Sequence, residues 1–206
     1  MKINFDEAAK NWDSDIWKQI RASDVAKDML KFLYNTQGMN ALEYGCGTGL
    51  LGFYLLPYFK NITFCDSSQG MLDQVKNKIE EKACKNCDTI LLDHDKPFDT
   101  SKKYDCIFNL MVLHHIDNVE DIIKNWSEAL NKGGYLCIAD LEEEDGSFHG
   151  KEFSGHKGFS KGKLTEIFKK NNFDLITISQ PHITKKQKSD GEIVEYPIFL
   201  VICKKN

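Results

Sequence analysis

Gly45, Gly47 and Gly49 stand in alternation inside ALEYGCGTGLLG at positions 41–52, where a short apolar run gives way to a helical pattern. The segment reads as a strand, a tight turn and the start of a helix. Glycine at such a turn lets the backbone bend sharply and come close to a ligand. In an open α/β sheet, nucleotide-like ligands sit in the crevice beyond the carboxyl ends of the strands. Two registers are possible: G-x-G-x-G from Gly45, or the dinucleotide fingerprint G-x-G-x-x-G from Gly47 to Gly52, which also wants an acid about 20 residues on. Asp66 satisfies both. The first register is favoured because the strand ends at Tyr44 and the first turn glycine should follow at once. Gly52 then packs within the helix.

Proton-transfer chemistry has its own candidates further along. His114 and His115 follow a strand-like run, and a neutral imidazole accepts a proton near neutral pH. Residues 142–163 read EEEDGSFHGKEFSGHKGFSKGK, with five glycines, no helical period and two histidines, His149 and His156. Loops this long inside compact domains are usually functional, and this one follows the fifth strand, whose end faces the crevice. It is therefore read as a lid, with Asp140 at the end of that strand as a further candidate. Cys84 and Cys87 form the only C-x-x-C; with no second pair to complete four ligands, no metal site is expected there.

A regular alternation of elements must hold these residues in place. Apolar Ile16, Ile20, Val25, Met29, Leu30 and Leu33 recur at helical spacing, with Ser14 or Asp15 near the N-cap. Strand-like runs fall at 40–44, 62–65, 89–92, 106–110, 135–139, 175–178 and 198–203, most of them separated by helical patterns. This order predicts an α/β fold with a largely parallel sheet and helices on both faces. The polar stretch 179–196, with Pro181 and Gly191, predicts a hairpin rather than a crossover, and so an antiparallel strand at the end of the chain.

With 206 residues the sequence fits one domain, the whole of 1–206, with a helical cap over about 1–36. No stretch approaches the ~20 apolar residues of a membrane span and no apolar signal core opens the chain, so a cytoplasmic protein is expected. The seven cysteines lie mostly in apolar strands and read as buried thiols of a reducing compartment. A net charge of -4 and a single arginine, Arg21, argue against nucleic acid as a partner. The oligomeric state is not readable.

The series LEYGCGTG, FCDSS, FNLMVLHHI and LNKGGYLCIADL, in this order, resembles the class I S-adenosylmethionine-dependent methyltransferases, in their small-molecule branch. The resemblance covers roughly residues 5–174. It implies a Rossmann-like three-layer α/β/α sandwich with a seven-stranded, mostly parallel sheet and an antiparallel last strand. It also implies methyl transfer from S-adenosylmethionine to a small-molecule acceptor, leaving S-adenosylhomocysteine. By the same resemblance Asp66 takes the ribose hydroxyls, with a helix cap as its plainer alternative, and Glu43 lies near the methionine amino group. Gly45, Cys46, Gly47 and Gly49 line the cofactor, with Ser67 and Met71 beyond Asp66. Asp93, ending the third strand, and His94 match the adenine side, with Asp95 as a shifted register. Asn109 and Leu110 end the fourth strand, and Trp12 belongs to a segment, 5–13, that folds over the cofactor or anchors the core. His114 is expected in the reaction chamber, His115 as a cap or packing residue, and Asp140, His149 and His156 on the acceptor side. A nicotinamide-dependent oxidoreductase and a catalytically silent cofactor-binding protein of the same fold are the alternatives.

Overall fold

The computed structural model describes residues 4–93, 98–150, 152–187 and 191–206. Its strands are β1 Asn40–Tyr44, β2 Asn61–Asp66, β3 Cys87–Leu91, β4 Tyr104–Leu110, β5 Leu130–Leu141, β6 Phe173–Gln187 and β7 Ile193–Lys205. They form one sheet in the order β3-β2-β1-β4-β5-β7-β6. β1 pairs in parallel with both β2 and β4, β2 with β3, and β4 with β5, while β7 runs antiparallel to β5 and β6. The chain builds outward from β1 to β3 and then returns to lay β4 on β1's other side. That reversal opens a crevice at the carboxyl ends of β1 and β4.

The helices are α1 Phe5–Ala8, α2 Ile16–Met29, α3 Leu50–Leu55, α4 Gln69–Glu81, α5 Val119–Ala129 and α6 Lys161–Lys170. On one face Val25 and Met29 of α2, Leu51 and Leu55 of α3 and Leu72 and Val75 of α4 pack with Ala41, Ile62, Phe64 and Phe108. On the other, Trp126 of α5 and Phe168 of α6 pack with Leu42, Cys65, Ile107 and Leu136. Neighbouring strand residues point to opposite faces. With both faces covered, the strands therefore read as continuous apolar runs rather than alternating ones. Caps fix where helices begin: the side chains of Asp15, Ser68 and Asn118 accept from the amides of Trp17, Met71 and Asp121.

Several boundaries differ from the sequence reading, each for a physical reason. Ile16 and Ile20 are 55% and 36% exposed. The buried stripe of α2 is Ala22, Val25, Ala26 and Met29, which share a face that Ile16 and Ile20 do not. β3 stops at Leu91, so Asp93 lies two residues past the strand rather than at its end. β5 begins at Leu130, earlier than the apolar run from Tyr135 suggests. The expected hairpin is present, but its arms are long, with 179–187 and 193–196 paired as strand. The polarity of this stretch reflects an edge of the sheet. A register shift between Ser179 and His182 spans Pro181, whose missing N–H cannot join a ladder. Finally, α6 starts at Lys161, so the irregular lid ends at Ser160.

Candidate functional site

Gly45, Gly47 and Gly49 all lie in the left-handed region, at φ 65, 54 and 79°. That pattern selects the register beginning at Gly45. Gly52 is a packing residue inside α3: a Cβ there would stand 2.3 Å from Glu43 Oε2 and 2.4 Å from the Phe64 ring. In front of Gly47 there is space, since an added Cβ would meet only Trp12 Nε1 at 3.9 Å and Met71 Sδ at 4.0 Å.

Asp66 ties this loop to the next helix. Its Oδ2 accepts from the Gly47 amide at 2.7 Å and its Oδ1 from the Ser68 amide at 2.9 Å. Burial pushes its carboxyl upward and these backbone donors pull it back. Each carboxylate oxygen retains a second lone pair, so the group can still accept from a ligand hydroxyl. Ser68, not Asp66, caps α4, accepting from Met71 at 3.1 Å. Glu43 is 2% exposed and accepts from the Gly52 amide at 3.1 Å. Burial holds its carboxyl well above the ordinary range. It thus anchors the first turn of α3 from below the glycine loop.

The N-terminal segment straps across the same region. Asp6 accepts from Ser68 Oγ at 2.6 Å and from the Gly70 amide at 2.8 Å. Asp13 accepts from Thr48 Oγ1 and pairs with Lys78. Trp12, between these two ties, meets Phe5 edge-on at 5.9 Å and carries Lys18 Nζ 3.6 Å over its ring. The sequence suggested the cover but not the two acids that fasten it.

The other expected cofactor residues are dispersed. Met71 is buried under the loop, and the Cys46 thiol is sealed in the core, leaving that residue only its backbone to offer a ligand. Ser67 is exposed and Leu110 half-buried. Asn109, at the end of β4, is 1% exposed, and among the described residues neither of its amide side-chain atoms has a hydrogen-bond partner. Such an orphaned group calls for an explanation beyond the fold. His94 and Asp95 lie outside the described residues.

Beyond β4 the chain turns through Met111, at φ 59°, into the short 3-10 turn Leu113–His115. Here the expected proton-transfer residues meet. Asp140 Oδ1 lies 2.5 Å from His114 Nδ1 and also accepts from the Leu141 amide at 2.7 Å. Its Oδ2 accepts from the His114 amide at 3.2 Å. His149 Nε2 then stands 2.9 Å from His114 Nε2. His115, expected only to cap or pack, brings its ring centroid to 4.2 Å from that of His114 and 5.4 Å from that of His149. Burial, reinforced by His114, pushes both His115 and His149 down to about 4. These two imidazoles are therefore neutral at pH 7.

His156 is not brought into this cluster. Its ring Nε2 lies 3.0 Å from the Ile116 carbonyl, and its amide donates to the His114 carbonyl at 2.9 Å. It fastens the lid to the histidine turn. Gly155 allows that approach, because a Cβ there would stand 2.3 Å from the His114 carbonyl oxygen. The rest of the lid is held by the β6–β7 hairpin: Lys186 Nζ donates to the Phe148 carbonyl at 2.7 Å, and Ser147 Oγ bonds Tyr196 Oη at 2.7 Å. Phe153 stacks on His149 at 4.1 Å. Arg21 is largely buried, and among the described residues its Nε has no partner. Asp140 is among the charges that act on it. Nothing in the local sequence around Arg21 or Lys186 signals this placement.

Comparison with known proteins adds an independent line. Residues 42–136 match the family model described as a methyltransferase domain. An uncharacterized methyltransferase of Schizosaccharomyces pombe is 29% identical over 171 residues, 73% of this chain and 60% of the relative. A malonyl-[acyl-carrier protein] O-methyltransferase of Ilyobacter polytropus is 32% identical over 138 residues, 66% of this chain and 51% of the relative. The chain thus spans little more than half the length of these curated relatives. Among solved structures, a putative methyltransferase from Bacillus halodurans superposes with a TM-score of 0.72 at 15% identity, covering 87% of this chain and 98% of that one. An S-adenosylmethionine-dependent methyltransferase from Aquifex aeolicus gives 0.67 at 16% identity, covering 88% and 89%. At these identities the structural matches speak for the fold alone.

Proposed function

We propose that this chain is a class I S-adenosylmethionine-dependent methyltransferase, an enzyme that moves the methyl group of S-adenosylmethionine to a small-molecule acceptor, as its match to a methyltransferase-domain model supports. The observation that carries this reading is the cradle: three left-handed glycines, of which Gly47 faces open space while Gly45 and Gly49 pack against Val112, Phe53 and Phe64, with Asp66 fixed at its edge. The residues present fit the cofactor. Asp66 has acceptor capacity for the ribose hydroxyls, the loop around Gly47 leaves room for a nucleoside, and Trp12 and Met71 bound that room. The unpartnered Asn109 amide supplies a buried polar contact near the methionine end. When bound, S-adenosylmethionine supplies an electrophilic methyl on a sulfonium.

The chain's own part is positioning and proton handling. The strap 5–13 and the lid 142–160 close over the crevice from two sides, which excludes water and holds the acceptor in line. His114 keeps Nδ1 on Asp140, so in its neutral form its Nε2 is a lone-pair acceptor turned toward His149 Nε2, 2.9 Å away. We read His149 as the group that takes the acceptor's proton, backed at its Nε2 by His114, which Asp140 orients. Glu43 is assigned to the loop rather than to direct contact.

Relatives of this chain include enzymes named for O-methylation and one named for N-methylation, which supports a small-molecule acceptor here without choosing the heteroatom. Among the described residues no helix is long and apolar enough to cross a membrane. Seven free cysteines, five of them buried, support a reducing, cytoplasmic setting. We read 1–206 as a single catalytic unit. A thermal-shift panel tests the reading. S-adenosylhomocysteine at a hundredfold excess over its Kd should stabilise the fold by about 2.7 kcal/mol, and NAD and NADP should give no shift. The reverse pattern would favour the oxidoreductase.

A further inference from the structure

We propose that His114, His115 and His149 form a binding site for a divalent transition-metal ion of the zinc class, opening on the reaction chamber. The three rings offer one ligand nitrogen each, all within 4.8 Å of one another. Three nitrogens each about 2.1 Å from one zinc stand roughly 3.4 Å apart. The observed set brackets that spacing, with the two Nε2 atoms of His114 and His149 at 2.9 Å. Two ring nitrogens so close need a proton or a cation between them, because two lone pairs repel.

Asp140 supplies the second half of such a site. Metal-bound histidines almost always give their other ring N–H to a carboxylate or carbonyl, which fixes the tautomer and raises ligand basicity. His114 does this through Nδ1 to Asp140 at 2.5 Å, leaving its Nε2 as the ligand atom. Three imidazoles and, among the described residues, no fourth protein ligand match the sites that keep one position for water or substrate. Nitrogen donors select zinc, cobalt or nickel over magnesium and calcium, which want oxygen. His114 is buried, His149 half-buried and His115 exposed, so an ion has access from solvent. His149 comes from the lid and the other two from the turn after β4, which couples occupancy to lid closure.

The consequence for catalysis rests on the methyl-transfer reading, although the metal site itself does not. With an ion bound, the rings serve as ligands rather than as the proton acceptor, and an acceptor heteroatom in the open position would lose its proton to solvent before the lid closes. Its lone pair would then form the new bond to the methyl carbon, while the old carbon–sulfur bond breaks and its electron pair stays on sulfur. The metal keeps its oxidation state throughout.

The test uses the tag-free full chain carrying Cys84→Ser and Cys87→Ser, stripped with chelator and titrated with Co(II) and Zn(II). One equivalent should bind, with cobalt ligand-field bands of a four- or five-coordinate nitrogen site. His149→Ala and His115→Ala should each weaken binding more than 100-fold, and Asp140→Asn about 10–100-fold. S-adenosylhomocysteine is titrated in parallel as the separate check on the methyltransferase reading. Retained binding of it by His149→Ala, with metal lost, would support the proposal. Stoichiometric metal unaffected by His149→Ala and His115→Ala, or no metal retained by the parent, would overturn it. In the latter case a hydrogen-bonded His149–His114–Asp140 proton relay is the arrangement left.

Discussion

The cofactor cradle and the histidine chamber lie side by side at the carboxyl edge of one sheet, yet they are built by opposite means. The cradle is mostly backbone: left-handed glycines, amides held by Asp66 and a helix start held by Glu43. Its parts come from consecutive strand–turn–helix units. The chamber is mostly side chain, and its parts come from the turn after β4, the end of β5, the lid and, through Lys186 and Tyr196, the terminal hairpin. The first arrangement suits a ligand shared across a family. The second suits whatever distinguishes this chain's acceptor.

The largest expected break is in the chamber. Asp140→Ala strips His114 and the Leu141 amide of their acceptor inside the core, and loss of one member of a buried pair costs about 3–5 kcal/mol. Urea denaturation should show the loss. A change below about 1 kcal/mol would mean that the pair is not formed in solution. In the cradle, Asp66→Ala orphans the Gly47 and Ser68 amides and should cost about 1–3 kcal/mol. This exceeds what a helix cap alone would lose, because Ser68 already fills that role.

A third change separates the regions without removing a polar group. Gly155→Ala drives a methyl against the His114 carbonyl and should cost about 1–3 kcal/mol of lid docking. Limited proteolysis within 146–159 should speed up, while S-adenosylhomocysteine affinity stays within a few fold. Equal loss of both would show that cradle and lid are one cooperative unit. The smallest effect is expected from Tyr196→Phe, which removes one hydroxyl partner of Ser147 for about 1 kcal/mol. It should raise lid cleavage modestly and leave thermal stability nearly unchanged.

This division also explains what the sequence made legible. The glycine register, Asp66 and the parallel strand order could be read because each depends on neighbours within one strand–turn–helix unit. His114, Asp140 and His149 could be nominated singly, but their convergence depends on β4, β5 and the lid meeting in space. His115 packs as expected, against Phe5, His114 and Phe153, but its nearness to His149 could not be read because that residue comes from the lid, 34 positions later. Ile16 and Ile20 misled because hydrophobicity at helical spacing does not say which stripe faces the sheet when two alanines, Ala22 and Ala26, permit the closer approach. The hairpin arms went unread because edge strands tolerate the polar residues that elsewhere signal loops.

The division of labour itself is tested most directly by calorimetric titration of S-adenosylhomocysteine into the wild type, Asp66→Ala and His149→Ala. One site is expected in the wild type, with more than tenfold weaker binding in Asp66→Ala and affinity within threefold of wild type in His149→Ala. Unchanged affinity in Asp66→Ala together with lost affinity in His149→Ala would contradict that division.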